Sequence, residues 1–176
     1  DEIEQAQIAH LLDKDVIVLD GYIGDHPAAR VRTRLIIEKE NANIAAKQRL
    51  LYFPADDDAE PEFTVVYTPS LEAPGYPDDR IIAVDLDAGI TRVLNSDYFG
   101  ESKMGGLRMW DALMYRRGGL AMHSGLKVVG DGDNRRVGLV VGLAGDGELN
   151  VVLLLDMAGE ALDVLDNDGL DVLSNK

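Results

Sequence analysis

The stretch ARVRTRLIIE, residues 29–38, combines a β-strand pattern with three evenly spaced arginines. Its aliphatic and β-branched residues predict a β-strand. Because strand side chains alternate between faces, Arg30, Arg32 and Arg34 are expected on one face. The opposite face would carry Val31, Thr33 and Leu35. Three guanidinium groups suit a dicarboxylate or phosphate ligand, whereas pairing with local carboxylates is the alternative that the pattern alone favours.

Helical and strand patterns extend to both sides of this stretch. An N-terminal helix over residues 2–14 would place Ile3, Ile8, Leu11 and Leu12 on one face. Two further helices are predicted at NANIAAKQRLL and SKMGGLRMWDALMYRRGG, and DAG before ITRVL predicts a tight turn. The other predicted strands are DVIVLDGYIG, FTVVYT, IIAVDL, ITRVL, LAMHSG, LKVV and RVGLVVG. The pattern indicates a mixed α/β or α+β domain.

The composition restricts the functional classes. The 176 residues include 17 basic and 32 acidic side chains, a net charge of −15, and no cysteine. This balance argues against general nucleic-acid binding, and the missing thiols exclude disulfides and thiolate metal sites. No apolar run approaches a membrane span, and from its acidic start we expect no cleavable leader. We therefore expect a cytoplasmic protein without membrane partners. Its acidity suits a salt-rich cytosol, although an ordinary acidic cytosolic protein fits equally well.

A glycine-rich motif follows the last predicted strand. In VGLVVGLAGDGELN, residues 137–150, the glycines Gly142, Gly145 and Gly147 have the spacing of a phosphate-binding loop. Glu148 and Leu149 stand where such a loop has Lys and Ser or Thr. The reversed charge and the missing hydroxyl predict that this loop does not hold ATP.

Two other segments contain residues of chemical interest. His123 follows an apolar run, where a packed or surface histidine is more common than a metal ligand. DYFGESKMGG includes Tyr98 and Lys103 and is either a substrate loop or the entry to a helix.

Four ordered segments resemble the ATP-dependent phosphoenolpyruvate carboxykinase family, most closely its archaeal, salt-adapted branch. They are VVYTPSLEAPGYPDDR, LNSDYFGESKMGGLRMWDALMY, GGLAMHSG and GLVVGLAGDG, within a likeness covering residues 16–147. The resemblance implies a carboxykinase N-terminal domain, a mixed sheet with flanking helices, over residues 1–136. Residues 137–149 would be the first strand and the degenerate phosphate loop of the nucleotide domain, and the likeness to the family is truncated there. Residues 150–176 would form an acidic tail of unknown structure.

The resemblance also implies chemistry. The family converts oxaloacetate and ATP to phosphoenolpyruvate, CO₂ and ADP, a gluconeogenic decarboxylation that uses Mn²⁺ or Mg²⁺. Arg30 matches the arginine that binds the substrate carboxylate, and Tyr98 matches the tyrosine beside the substrate. Lys103 matches the first lysine of a catalytic pair, and His123 matches a metal-ligating histidine.

Departures from the family pattern predict an inactive or truncated form. The second lysine of the pair is Met104, and Glu148 and Leu149 replace the phosphate-loop residues. The alternatives are a non-catalytic dicarboxylate-binding remnant and an unrelated interaction domain. Without a packed nucleotide domain, the strand at residues 137–142 would have an unprotected apolar edge, which favours self-association.

The composition changes near the end of the motif. From residue 146 to residue 175 there is no basic side chain. Codons for residues 146–152, read one base later, can encode a sequence close to an intact phosphate loop. We therefore hypothesise a frameshift near Gly145, which sequencing of the coding DNA tests.

Overall fold

The computed structural model describes residues 2–55, 58–121, 125–131, 136–142, 150–155 and 161–165. The chain divides into two compact units, Asp1–Ala121 and Met122–Lys176. The helices are α1 (Glu2–Leu11), α2 (Ala42–Arg49) and α3 (Phe99–Arg116). The strands of the first unit are β1 (Val16–Ile23), β2 (Val31–Glu38), β3 (Phe63–Thr68), β4 (Ile81–Asp85) and β5 (Ile90–Leu94); those of the second are β6 (Gly125–Val129), β7 (Arg136–Gly142), β8 (Asn150–Leu155) and β9 (Ala161–Leu165).

The first unit is built on a five-stranded mixed sheet. The strand order is β1-β2-β3-β5-β4. The pairs β2–β3 and β3–β5 are parallel, whereas β1–β2 and β4–β5 are antiparallel. The arginine-rich stretch forms β2, and its side chains Val31, Leu35 and Ile37 are fully buried. The prediction of a mixed sheet with flanking helices is confirmed.

Helices α2 and α3 cover one face of this sheet. Ile44 of α2 and Met109 of α3 join the same core cluster as Leu35 and Val65. At Gly105 the α3 backbone comes close enough for its carbonyl to accept a hydrogen bond of 3.1 Å from the Thr91 hydroxyl. Burial of these aliphatic side chains is the main source of stability on this face.

Helix α1 packs on the opposite face through polar side chains. Gln7 is fully buried, and its amide donates to the Val66 carbonyl at 3.1 Å and to the Thr68 hydroxyl at 3.0 Å. The helix is confirmed, but the predicted apolar face is wrong in part, because Ile8 is 53% and Leu12 is 77% exposed. The sheet offers α1 polar partners here, so amphipathic spacing does not decide which residues face it.

A buried carboxylate fixes the C-terminal end of α1. Glu38 Oε1 lies 2.5 Å from His10 Nε2, 2.5 Å from Ser70 Oγ and 3.2 Å from Lys14 Nζ, while the Ser70 amide donates to Oε2 at 3.0 Å. Burial raises the pKa of Glu38, but these hydrogen bonds outweigh burial and lower the pKa to about 2. The ionised carboxylate therefore ties α1, β2 and the segment after β3 together.

The second unit is a four-stranded antiparallel sheet of order β6-β7-β8-β9. Strands β8 and β9 lie within residues 150–176, for which the sequence pattern made no structural prediction. The expectation of an unprotected β7 edge is wrong, because β6 and β8 both pair with β7. Self-association and the domain boundaries at residues 136 and 149 stay predictions.

Because of Glu38, we expect the unfolding free energy of the first unit to decrease as the pH falls through the acid range. The folded pKa of Glu38, about 2, lies below the ordinary value of 4.5, so its stabilising effect is complete above 4.5 and is lost as pH falls toward 2. We expect Glu38→Gln to lower the unfolding free energy by about 1–3 kcal/mol at pH 7. Urea titrations at several pH values should show the gap between wild type and variant narrowing below pH 4.5. A gap that does not change with pH would contradict the role of the ionised form.

Gly89, in the confirmed turn between β4 and β5, allows a close backbone approach. Its φ is +66°, and a Cβ there would lie 2.2 Å from the Glu62 carbonyl oxygen. Gly118 has φ +79°, but a Cβ at that position would have no atom within 4 Å. Both alanine variants incur the left-handed backbone cost, and Gly89→Ala should lose about 1–3 kcal/mol more because of the steric overlap. Equal urea midpoints for the two variants would contradict this.

Candidate functional site

The arginines of β2 lie opposite acidic and aromatic residues of β1. The antiparallel register pairs Arg34 with Asp20 and Arg32 with Tyr22. Arg34 donates through Nε and Nη2 to the two Asp20 oxygens, both at 2.8 Å, and Arg32 Nη2 lies 3.6 Å from Asp20 Oδ2. The hydrogen bond from Arg34 lowers the pKa of Asp20. Pairing with local carboxylates therefore accounts for Arg32 and Arg34.

Arg30 has a different environment. It immediately precedes β2, and its guanidinium carbon lies 4.6 Å from the centroid of the Tyr22 ring. Arg32 approaches the same ring at 5.6 Å, so the two arginines share one face as predicted. No described residue forms an ion pair with Arg30, which is only half-buried. A cation–π contact with a ring does not itself use the N–H donors of a guanidinium group.

Tyr98 stands at the N-terminus of α3. Its side chain is 68% exposed, while its carbonyl accepts a hydrogen bond of 2.7 Å from the Tyr67 hydroxyl. Burial raises the pKa of Tyr67 to about 12, so that hydroxyl keeps its proton and remains a donor. The Tyr98 amide donates to Ser96 Oγ at 3.3 Å. The backbone of Tyr98 is thus fixed while its ring faces solvent.

Lys103 lies one turn into α3 and is half-buried. In the part of the chain that the structure describes, no carboxylate lies within ion-pair distance of its ammonium. Lys103, Gly106 and Trp110 share one helical stripe, and Gly106 packs beside Ile23 of β1. Lys103 lies about 10 Å along the helix axis from Trp110. The neighbouring Met104 offers a thioether instead of a second amine.

Trp110 connects this helix to the loop that carries Arg30. Its indole Nε1 donates to the Ala29 carbonyl at 2.9 Å. The stripe of α3 that contains Lys103 therefore also contacts the residue before Arg30. Sequence reasoning missed both Trp110 and Tyr22. The alternation of Asp20 and Tyr22 in β1 could have revealed the tyrosine, whereas no pattern distinguishes Trp110 from a core residue.

The remaining predicted site residues fall largely outside the described parts of the chain. His123, Gly145 and Gly147 lie outside them, and Gly142 ends β7, where it pairs with Asn150 of β8. Within the described segments, no group of three His, Asp or Glu side chains suits a metal ion, and no helix is long and apolar enough to cross a membrane.

An open cavity lies away from the predicted residues. It has a volume of about 550 Å³ and lies between α1 and the β4–β5 pair, with Glu4, Asp85 and Arg92 in its lining. Arg92 is engaged there with Glu4 and with the Gln7 amide oxygen, the latter at 3.2 Å. Arg30, Tyr98 and Lys103 do not line it.

The first unit is thus a mixed α/β domain with arginines on and just before β2, and with a tyrosine and a lysine at the N-terminal end of α3. The family model described as phosphoenolpyruvate carboxykinase matches residues 1–153, and the chain belongs to this ATP-dependent family.

Curated relatives agree with this membership. The chain is 28% identical to phosphoenolpyruvate carboxykinase (ATP) of Caldanaerobacter subterraneus subsp. tengcongensis, over 80% of this chain and 28% of that protein. It is 29% identical to phosphoenolpyruvate carboxykinase (ATP) 1 of Moorella thermoacetica, over 80% and 27%. It is 30% identical to phosphoenolpyruvate carboxykinase (ATP) of Methylobacterium sp., over 84% and 28%. The matched part of the chain corresponds to less than a third of each relative.

The different environments of Arg34 and Arg30 predict different effects on stability. Arg34→Met removes a two-point ion pair with Asp20 and should lower the unfolding free energy by about 1 kcal/mol. Arg30→Met removes no ion pair among the described residues and retains an apolar contact with Tyr22, so we expect a loss of less than about 0.5 kcal/mol. Urea denaturation of both variants measures the difference, and a larger loss for Arg30→Met would contradict the assignment.

Proposed function

We propose that this chain provides the substrate-binding part of an ATP-dependent phosphoenolpyruvate carboxykinase, which converts oxaloacetate and ATP to phosphoenolpyruvate, CO₂ and ADP. The observation that carries the proposal is the environment of Arg30 in a chain of this family. In a protein of net charge −15, Arg30 is supported by an aromatic ring and lacks a carboxylate partner among the described residues. We also propose that the protein acts in the cytoplasm.

Arg30 would bind a carboxylate of oxaloacetate. A guanidinium group can donate two parallel N–H bonds to a carboxylate, which fixes the orientation of the ligand as well as its position. The exposed ring of Tyr98 would lie beside the substrate, and the fixed Tyr98 backbone supports that position. Oriented binding would align the bond to the departing carboxyl group with the π system of the neighbouring carbonyl.

Lys103 would stabilise the negative charge that decarboxylation produces. When the C–C bond breaks, CO₂ leaves and the bonding electrons form an enolate, whose oxygen then receives the γ-phosphoryl group of ATP. An ammonium without a carboxylate partner can stabilise an anion at this stage more strongly than one that is already paired. In the family a bound divalent metal supplies further charge stabilisation. His123 is the residue of this chain that we propose as its ligand.

The second candidate is a dicarboxylate-binding domain that does not use ATP. Two observations favour it over a complete enzyme. Glu148 and Leu149 replace the cation and hydroxyl of the phosphate loop. The strand β7 is paired with the antiparallel strand β8, whereas a phosphate loop leads from a strand into a helix.

Separate titrations of the 176-residue chain test these proposals. Calorimetry with oxaloacetate in metal-free buffer should give saturable binding to the wild type, and Arg30→Met should weaken it at least tenfold because the carboxylate loses its two donors. The matched control is Arg34→Met, which removes an arginine already paired with Asp20. Equal affinities for wild type and Arg30→Met would refute the role of Arg30.

A titration with ATP and Mg²⁺ tests whether the chain holds more than the substrate-binding part. Saturable nucleotide binding together with phosphoenolpyruvate formation in a coupled assay would refute the dicarboxylate-binding domain. Oxaloacetate binding without nucleotide binding is the result expected of a chain that binds the substrate alone.

A further inference from the structure

The loop before β2 is held by the C-terminal half of α3. The loop spans residues 24–30 and begins at Gly24, whose φ is +81°. Trp110 Nε1 donates to the Ala29 carbonyl at 2.9 Å, and Arg117 Nη1 donates to the Ala28 carbonyl at 3.4 Å. Two consecutive carbonyls immediately before Arg30 therefore accept hydrogen bonds from the end of α3 and the residue that follows it.

The loop also has hydrogen bonds within itself. The amides of Ala29 and Arg30 both donate to the His26 carbonyl at 2.8 Å, and the Ala28 amide donates to His26 Nδ1 at 3.2 Å. At the other end of the Arg30 side chain, the guanidinium contacts the Tyr22 ring. Arg30 is thus restrained at its backbone and at its charged group.

We propose that Trp110 is a positioning residue for the carboxylate-binding Arg30, acting through its indole hydrogen bond to the Ala29 carbonyl. The proposal rests on the proposed function of Arg30. A tryptophan in a core usually finds an acceptor for its indole N–H, and here that acceptor is the backbone carbonyl next to Arg30. Removing the donor leaves the Ala29 carbonyl without this partner and allows the loop to open more often. The binding-competent position of Arg30 is then less populated, which weakens apparent affinity.

Trp110→Phe tests the hydrogen bond while retaining an aromatic ring. We expect backbone amides of residues 24–30 to exchange about fivefold faster in the variant than in the wild type. Oxaloacetate affinity should fall by a similar factor, with little change in exchange at the core strands β2 and β3. Tyr115→Phe is the matched control, because Tyr115 is an exposed aromatic residue of the same helix. It should leave both loop exchange and affinity unchanged.

The chain has one tryptophan, so its fluorescence reports on Trp110 directly. Oxaloacetate should change the emission of the wild type, and the change should be absent in Arg30→Met. Unchanged loop exchange in Trp110→Phe would overturn the inference whether or not oxaloacetate binds. Faster loop exchange with no oxaloacetate binding to the wild type would support the restraint of the loop and refute the proposed ligand of Arg30. Faster exchange with unchanged affinity would also overturn the inference.

Discussion

The close approach of α3 to the central sheet is the constraint on which the rest of the first unit depends. A Cβ at Gly105 would lie 3.1 Å from Thr91 Cγ2 and 3.2 Å from Val65 Cγ2, so even an alanine would require these side chains or the helix to shift by a few tenths of an ångström. The approach allows the Thr91 hydroxyl to reach a backbone carbonyl of the helix. Because α3 also carries Lys103 and Trp110, its distance from the sheet determines where those side chains lie relative to β1 and β2.

The opposite face follows a different principle, in which charge and hydrogen bonding replace apolar packing. Gln7 bonds to the sheet through its amide, Arg92 contacts Glu4, and the Glu38 carboxylate gathers donors from three other residues. Buried polar groups of this kind are costly unless they are satisfied, but satisfied groups restrict a helix to one position. Helix α1 is therefore positioned by specific partners, and its exposed aliphatic residues do not contribute to that position.

Much of the first unit could be predicted from the sequence because its signals are local. The period-two pattern of β2, the helix predicted at SKMGGLRMWDALMYRRGG and the turn before β5 each depend on neighbouring residues, and the structure has these elements. The face of α1 could not be predicted, because the partner of Gln7 is 59 residues away in the chain. Trp110 was missed for the same reason, since its contact with Ala29 requires the position of the helix, whereas the local alternation of Asp20 and Tyr22 in β1 could have revealed the tyrosine.

The three arginines at 30, 32 and 34 show how a cation of an acidic chain can lack a carboxylate partner among the described residues. Asp20 takes both Nε and Nη2 of Arg34 and lies near Arg32, so two of the three charges have a carboxylate. Arg30 precedes the first residue of β2 and lies outside this group of ion pairs. Its guanidinium group contacts the ring of Tyr22 in β1. The face of an aromatic ring attracts a guanidinium group through the ring's quadrupole. This attraction does not require a conventional N–H hydrogen bond. An aromatic partner can therefore restrain Arg30 without occupying the donors that an incoming carboxylate would need, which a local aspartate could not do.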